Sequence, residues 1–155
     1  MPAGRSFRFG TLVAVIERKS AMLRSAKEPD IPEIRRLIES EPGLWDASWT
    51  DETLHDALAT PSGLAFVWED GAAIVGFLCA HDTGFRGYLS MLVVAKEHRK
   101  QGVGRALIGR VEQELRSRGR QVLISDVWKS AVGFYATLGW GAPDVALMRK
   151  RLVSG

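Results

Sequence analysis

Apolar residues at Ile34, Leu37 and Ile38 follow the three-to-four spacing of a helix buried along one face, and Val103, Leu107, Val111 and Leu115 repeat it every four residues over a longer stretch. The first spacing predicts a helix opened by an Asp30-x-x-Glu33 capping box, with Pro32 in its first turn, and stopped at Glu41-Pro42-Gly43. The second predicts a helix over residues 102–118 that ends on Gly119. Thr50 suits the cap of a short helix over 51–58, with Asp51 and Glu52 at its positive end. Strand signals lie before and between these helices: residues 22–26, 64–68, 73–80 and 88–94. Asp70-Gly71 is a hairpin turn, 81–87 a second turn, and Leu89, Met91 and Val93 alternate against Ser90. A strand over 122–127, a helix over 130–138 ended by Gly139, and a last strand over 145–152 complete the pattern. The order is strand, two helices, three strands, helix, strand, helix, strand, without repeats, which reads as an α+β class domain.

Length and composition narrow the function classes. The 155 residues, 46% hydrophobic and 25% charged, suit one globular domain and exclude a disordered or coiled-coil chain. The longest apolar runs, such as 72–80, fall short of a membrane span. Cys79 is the single cysteine, so no intrachain disulfide forms, and a cytoplasmic location is the default. The net charge of +3 comes from residues 1–21, where Arg5, Arg8, Arg18 and Lys19 face Glu17 alone. The rest of the chain is balanced, which lowers the expectation of nucleic-acid binding. Residues 1–21 read as an N-terminal extension: an extra edge strand at 11–16, a transit-like segment, or sequence upstream of a start at Met22. The last is preferred, because the folded pattern begins at Met22; 22–155 is then a single domain.

The stretch from Tyr88 to Leu107 carries the chemistry. It is strand, glycine-punctuated loop, then helix. Gly102 and Gly104 allow close approach of a ligand to the backbone, and the amides from Gln101 to Ala106, with Val103 and Arg105 among them, point out of a helix N-terminus that favours an anion such as pyrophosphate. Arg99, Lys100 and Arg105 surround it with mobile positive charge. On the two glycines alone, a tight turn with solvated basic residues is an equal reading. The phosphate loop Gly-x-x-x-x-Gly-Lys-[Ser/Thr] is missing, and Leu107 stands where a dinucleotide fingerprint has its third glycine.

Arg99-Lys-Gln-Gly-Val-Gly104 resembles the Arg/Gln-x-x-Gly-x-Gly/Ala acetyl-CoA pyrophosphate loop of the GNAT superfamily of N-acetyltransferases, and Ala131-Val-Gly-Phe-Tyr-Ala-Thr-Leu-Gly-Trp140 resembles that family's Ala-x-x-(Leu/Phe)-Tyr-x-x-Leu-Gly-(Phe/Trp) segment. The likeness extends over about residues 22–152, including Leu23 to Ile34 and Leu147 to Leu152. It implies a GNAT-like mixed, mainly antiparallel sheet flanked by about four helices in three α/β/α layers. It also implies acetyl-CoA as cosubstrate, no metal, and acetyl transfer to a primary amine of a small molecule or peptide by direct attack. Leu92, Val93 and Val94 match the strand that pairs with the pantetheine arm, where Leu92 or Val93 offers an amide to the oxyanion. The strands carrying Val94 and Val122 are expected to part after Leu92. Tyr135 matches the tyrosine that protonates the leaving thiolate; by residue type alone it reads as a core aromatic. Ser130 is expected to cap the last helix beside the CoA arm.

This sequence departs from the family pattern at Tyr88 and Ser90, where other members carry Glu or His as base, and at Trp128, where an Asn is frequent. Asp126, Asp82, Glu97 and His81 are candidate substitutes, with His81 and Asp82 read as turn residues and Glu97 as a loop surface residue; an ordered water chain is the remaining option. Trp45, Asp46, Trp49 and Asp51 form an aromatic and acidic loop that would suit a cationic amine, or else satisfy a helix start and bury over the first helix. Cys79, within an apolar run, reads as core rather than acyl carrier. The competing functions are a catalytically silent acetyl-CoA sensor or assembly module and, more remotely, a nucleic-acid binder. An exposed edge strand would permit a homodimer.

Overall fold

Two hairpins put the three central strands side by side, a helical segment joins the first strand to them, and one helical crossover adds the last. The computed structural model describes residues 20–60 and 63–153. Its sheet runs in chain order: β1 (Met22–Ser25), β2 (Leu64–Asp70), β3 (Ala73–Asp82), β4 (Gly87–Val94) and β5 (Leu123–Ser125). The first three pairings are antiparallel and β4–β5 is parallel, so the sheet is mixed and mainly antiparallel. A parallel neighbour needs a crossover, and α3 (Val103–Ser117) supplies it.

Alternation along β3 divides the core into two layers. Phe77 and Cys79 face α1 (Ile31–Glu39) and α2 (Asp51–Ala59), joining Ile34, Leu37, Ile38 and Leu54. Leu78 and Ala80 face the other way, toward Leu107, Ile108, Val111 and Leu115 of α3 and Tyr135 of α4 (Val132–Thr137). This is the three-layer arrangement that the GNAT resemblance implies. Each of Val103, Leu107, Val111 and Leu115 is at most 4% exposed, and burying such a side chain stabilises the fold by roughly 1.5–3 kcal/mol. Gly119 ends α3 as expected: its N–H bonds Arg116 O at 3.0 Å and the N–H of Arg120 bonds Leu115 O at 2.9 Å.

Four expectations need correction. Asp30 does not cap α1 through a box with Glu33. A short turn over Glu28–Asp30 precedes the helix, so the Asp30 carboxylate instead accepts from the Lys27 amide (2.8 Å) and from Arg24, while Glu33 accepts from the Ile74 amide at 3.1 Å. His81 and Asp82 are strand residues rather than turn residues. Asp82 is held at the end of β3 by Arg120 (2.7 Å) and Arg118 (3.5 Å) from the far end of α3, and the turn begins only at Thr83. The strand expected over 122–127 shortens to Leu123–Ser125. Residues 145–152 form no strand: Leu147, Met148 and Leu152 are 72%, 86% and 92% exposed. A strand persists where an edge offers it a ladder, and three-residue β5 offers little. The extension over 1–21 lies outside the described residues apart from Ser20 and Ala21.

Candidate functional site

The site begins with one extra residue in β4. Cys79 pairs with Met91 and Ala80 with Leu89, leaving Ser90 as a β-bulge. β5 accompanies β4 only from Gly87↔Leu123 to Leu89↔Ser125. The paired part is fastened by Ser125 Oγ donating to Leu89 O (2.9 Å) and Tyr88 Oη donating to Asp126 Oδ1 (2.5 Å). From Ser90 to Val94 the edge of β4 is therefore open. The parting comes at the bulge, three residues before the expected point after Leu92. Ala95 N–H reaches back to Val75 O at 2.8 Å, so alternation turns the backbone of Val93 toward β3 and that of Leu92 and Val94 toward the open edge. Of the two candidate oxyanion donors, the geometry favours Leu92; the Val93 side chain is buried in the α1 layer.

Below this edge the chain turns into α3 through two left-handed residues, Lys100 (φ +60°) and Gly102 (φ +83°). The amides from Lys100 to Arg105 donate to no described residue, so six consecutive N–H groups stand at a helix start. The expected run moves by one residue: it gains Lys100 and loses Ala106, whose N–H bonds Gly102 O at 3.0 Å. The side chains differ from expectation too. Arg99 is not mobile; its Nε donates to Val94 O at 3.0 Å and its guanidinium pairs with Glu41. Gln101 Nε2 donates to Glu97 O (3.1 Å), bracing the turn over Lys96–His98. Lys100 and Arg105 remain exposed and, among the described residues, without an ion pair. Gly102 has open space around a Cβ but a positive φ, which costs an L-residue roughly 1–2 kcal/mol. Gly102→Ala should thus lower stability by about 1 kcal/mol and weaken anion binding, read from urea denaturation and ligand titration. Gly104 differs, since a Cβ there would lie 3.0 Å from Phe134 Cζ of α4.

Tyr135 stands in the α3 layer, 8% exposed, with its ring edge-to-face against Phe134 and Trp140 at 5.3 and 5.1 Å. Burial, and next the charge of Asp126, push its phenol above the usual tyrosine value, so it stays protonated at neutral pH. The candidate bases separate clearly. Asp82 is tied to two arginines, and the Arg120 hydrogen bond leads in holding it below the usual carboxylate range. Glu97 is exposed in its turn. Asp126 accepts the hydroxyl of Tyr88, whose pKa is pushed up to about 12 by burial and by that same carboxylate. His81 is partly buried on β3, with Nε2 3.1 Å from Ser90 Oγ; burial lowers its pKa. The sequence signal for His81 was present, since it stands two residues beyond Cys79 on the same face of β3.

One further expectation fails, and the aromatic and acidic loop follows the second of its two readings, at a helix start and against the first helix. Ser130 caps nothing: it lies in a short turn over Lys129–Ala131, and the cap positions belong to Trp128 and Ala131, neither with a side-chain cap bond. The aromatic and acidic loop is occupied by the protein's own cations. Arg35 sits 4.9 Å over the Trp45 ring and pairs with Asp51 at 2.8 Å. Trp49 stands edge-on to Trp45, and Asp46 accepts from the Ser48 hydroxyl (2.7 Å) and amide (2.9 Å), which with Arg151 and Arg149 hold it below the usual carboxylate range. Among the described residues, no helix is long and apolar enough to cross a membrane and no cluster of His, Cys, Asp or Glu is arranged to hold a metal ion.

A mixed, mainly antiparallel sheet whose fourth strand parts from the fifth at a bulge, above a helix start with unpaired amides, defines an α+β protein with an open strand edge. Residues 31–140 match the Acetyltransferase (GNAT) family, and the chain belongs to that family. It is 31% identical over 93 residues to Acetyltransferase YE1169 of Yersinia enterocolitica, covering 58% of this chain and 66% of that protein. An acetyltransferase of Yersinia pestis is 30% identical over the same shares. The chain thus spans 66% of the length of these curated relatives. Among solved structures, Ard1 from Thermoplasma volcanium superposes with a TM-score of 0.70 at 18% identity, covering 77% of this chain and 82% of that one. An aminoglycoside acetyltransferase from a soil metagenome reaches 0.66 at 19% identity, covering 86% and 97%. At such identities the structures establish the GNAT fold.

Proposed function

We propose that this protein transfers the acetyl group of acetyl-CoA to a primary amine of a small molecule or peptide, by direct attack within a ternary complex. The observation that carries the proposal is the run of six unsatisfied amides from Lys100 to Arg105 at the foot of an open strand edge. Those groups fit the ligand: the amides and helix dipole suit a pyrophosphate, with Lys100 and Arg105 as flanking cations. The edge-facing main-chain groups of Leu92 and the N–H of Val94, whose carbonyl already accepts from Arg99, suit the amide-bearing pantetheine arm, whose hydrogen-bonding pattern continues a sheet. The acceptor nitrogen bonds the thioester carbon and gives its proton to a base, the oxyanion accepts a hydrogen bond from the Leu92 N–H, the C–S bond breaks, and Tyr135 donates its phenol proton to the thiolate. Buried Cys79, its thiol pushed up by burial, is not suited to carry an acyl group.

At about 100 times its Kd, acetyl-CoA should stabilise the protein by roughly 2.7 kcal/mol, seen as a raised thermal midpoint. Free thiol should then appear with at least one amine from a panel of polyamines, aminoglycosides and peptides. Stabilisation without thiol release from any of them would favour the silent sensor; no stabilisation would overturn the ligand assignment.

A further inference from the structure

On the α1 side of the sheet, polar side chains cross three strands just where β4 leaves β5. His81 and Tyr88 are cross-strand partners, and Tyr88 reaches Asp126 beyond the end of β5. Ser90, the bulge residue, stands beside His81. In an unbroken ladder Ser90 would oppose a residue of β3; displaced by the bulge, it bonds both the backbone and the imidazole of that strand.

The directions of these bonds fix the imidazole tautomer. Ser90 has one hydroxyl proton, and it goes to Cys79 O at 3.1 Å. Ser90 Oγ then accepts from His81, so Nε2 carries the ring proton at 3.1 Å. Nδ1 keeps its lone pair, and no described group bonds it. Asp126 Oδ1, by contrast, already accepts a hydrogen bond from the Tyr88 hydroxyl.

We propose that His81, through Nδ1, accepts the proton of the attacking amine, and that Ser90 is the positioning residue that holds the ring in the required tautomer. The inference rests on the acetyl-transfer reading above. In the step, the amine nitrogen bonds the thioester carbon and its proton passes to Nδ1; the C–S bond breaks and the thiolate takes the proton of Tyr135. The titratable groups around His81 leave it this role. The Cys79 thiol, 3.7 Å from Nε2, is kept protonated by burial, and Tyr88 is kept protonated by burial and Asp126. Asp82 turns to the opposite face, onto Arg118 and Arg120. From the helical layer, Glu33 is bonded to Ile74 N–H at the far end of β3, Asp51 pairs with Arg35, His55 with Glu28, and Asp46 is held by Ser48. With burial lowering its pKa, His81 is neutral at physiological pH.

The test uses the full chain, with spermidine and an alanine-terminated peptide as acceptors. An imidazolium cannot take a proton, so wild-type kcat/KM should fall as pH drops through the His81 pKa. His81→Gln should lower kcat/KM about 10²-fold or more and lose that acid limb, while acetyl-CoA binds with unchanged Kd. Ser90→Ala should keep the limb, lose less rate, and mix the two tautomers in a long-range ¹H–¹⁵N imidazole spectrum that shows only the Nε2–H form in the wild type. A limb that survives in His81→Gln, a limb abolished by Asp126→Asn instead, or a wild-type Nδ1–H tautomer would overturn the proposal. A wild type that turns over neither amine would instead bring down the transferase reading on which it rests.

Discussion

Tyr135→Phe is expected to cut turnover by about two to three orders of magnitude while leaving acetyl-CoA affinity unchanged. The ring does the packing: it fills the α3 layer and stands edge-to-face against Phe134 and Trp140, and phenylalanine preserves all of that. The hydroxyl makes no hydrogen bond to any described residue, so its removal leaves no buried partner stranded and should cost little stability. What is lost is the one proton that the proposed reaction draws from this side chain. The thiolate would then have to draw its proton from water. The pH dependence gives an independent sign. A general acid works while protonated, so the wild-type rate should fall as pH rises through the Tyr135 pKa. Burial and Asp126 raise that pKa, moving the alkaline limb above the ordinary phenol range; in Tyr135→Phe the limb should vanish. Unchanged turnover, with the alkaline limb intact, would make Tyr135 a core residue and no more.

The parts of the site that are legible in the sequence are those carried by residue type at fixed spacing. The four-residue repeat of α3, the two glycines at its start and Tyr135 in the last helix all stand where the pattern put them. What escaped depends on the path of the chain between distant residues. Ser90 looks like an ordinary alternating position, and nothing in its type announces a bulge, so the parting of β4 and β5 was set three residues too late. Lys100 takes a left-handed conformation that glycine would advertise and lysine does not. Arg99 reads as a mobile cation until the fold brings Glu41 to it, and Trp45 reads as an open ring face until Arg35 from α1 covers it. In both cases a group that looks available to a ligand along the sequence is already engaged by another residue in the fold. The apolar run over 145–152 has strand-like composition, yet no described strand pairs with it.

Gly76→Val should destabilise the protein by about 3 kcal/mol, the upper end of what overpacking usually costs, and Gly76→Ala by about 1–2 kcal/mol. Gly76 lies in β3 between Trp68 of β2 and Val94 of β4. A Cβ there would stand 2.8 Å from Val103 Cγ1, 3.1 Å from Leu107 Cδ1 and 3.2 Å from Trp68 Cβ. Strand propensity opposes the loss, but by no more than about 1 kcal/mol, so the collision decides the sign. The Val103 methyl cannot swing aside, because a β-branched side chain in a helix has essentially one rotamer. The start of α3 must move instead, and that start carries the amides assigned to the pyrophosphate. Gly76→Ala should therefore weaken acetyl-CoA binding although residue 76 touches no ligand group. Gly109→Ala is the control: it sits on the same helix with nothing within 4 Å of a new Cβ, and should stabilise the protein by up to about 1 kcal/mol. Denaturant unfolding of all three variants and acetyl-CoA titration of the two alanine variants measure both effects. A Gly76→Ala protein as stable as the wild type and equally tight for acetyl-CoA would show that the helix start, and with it the anion site, is not set by this contact.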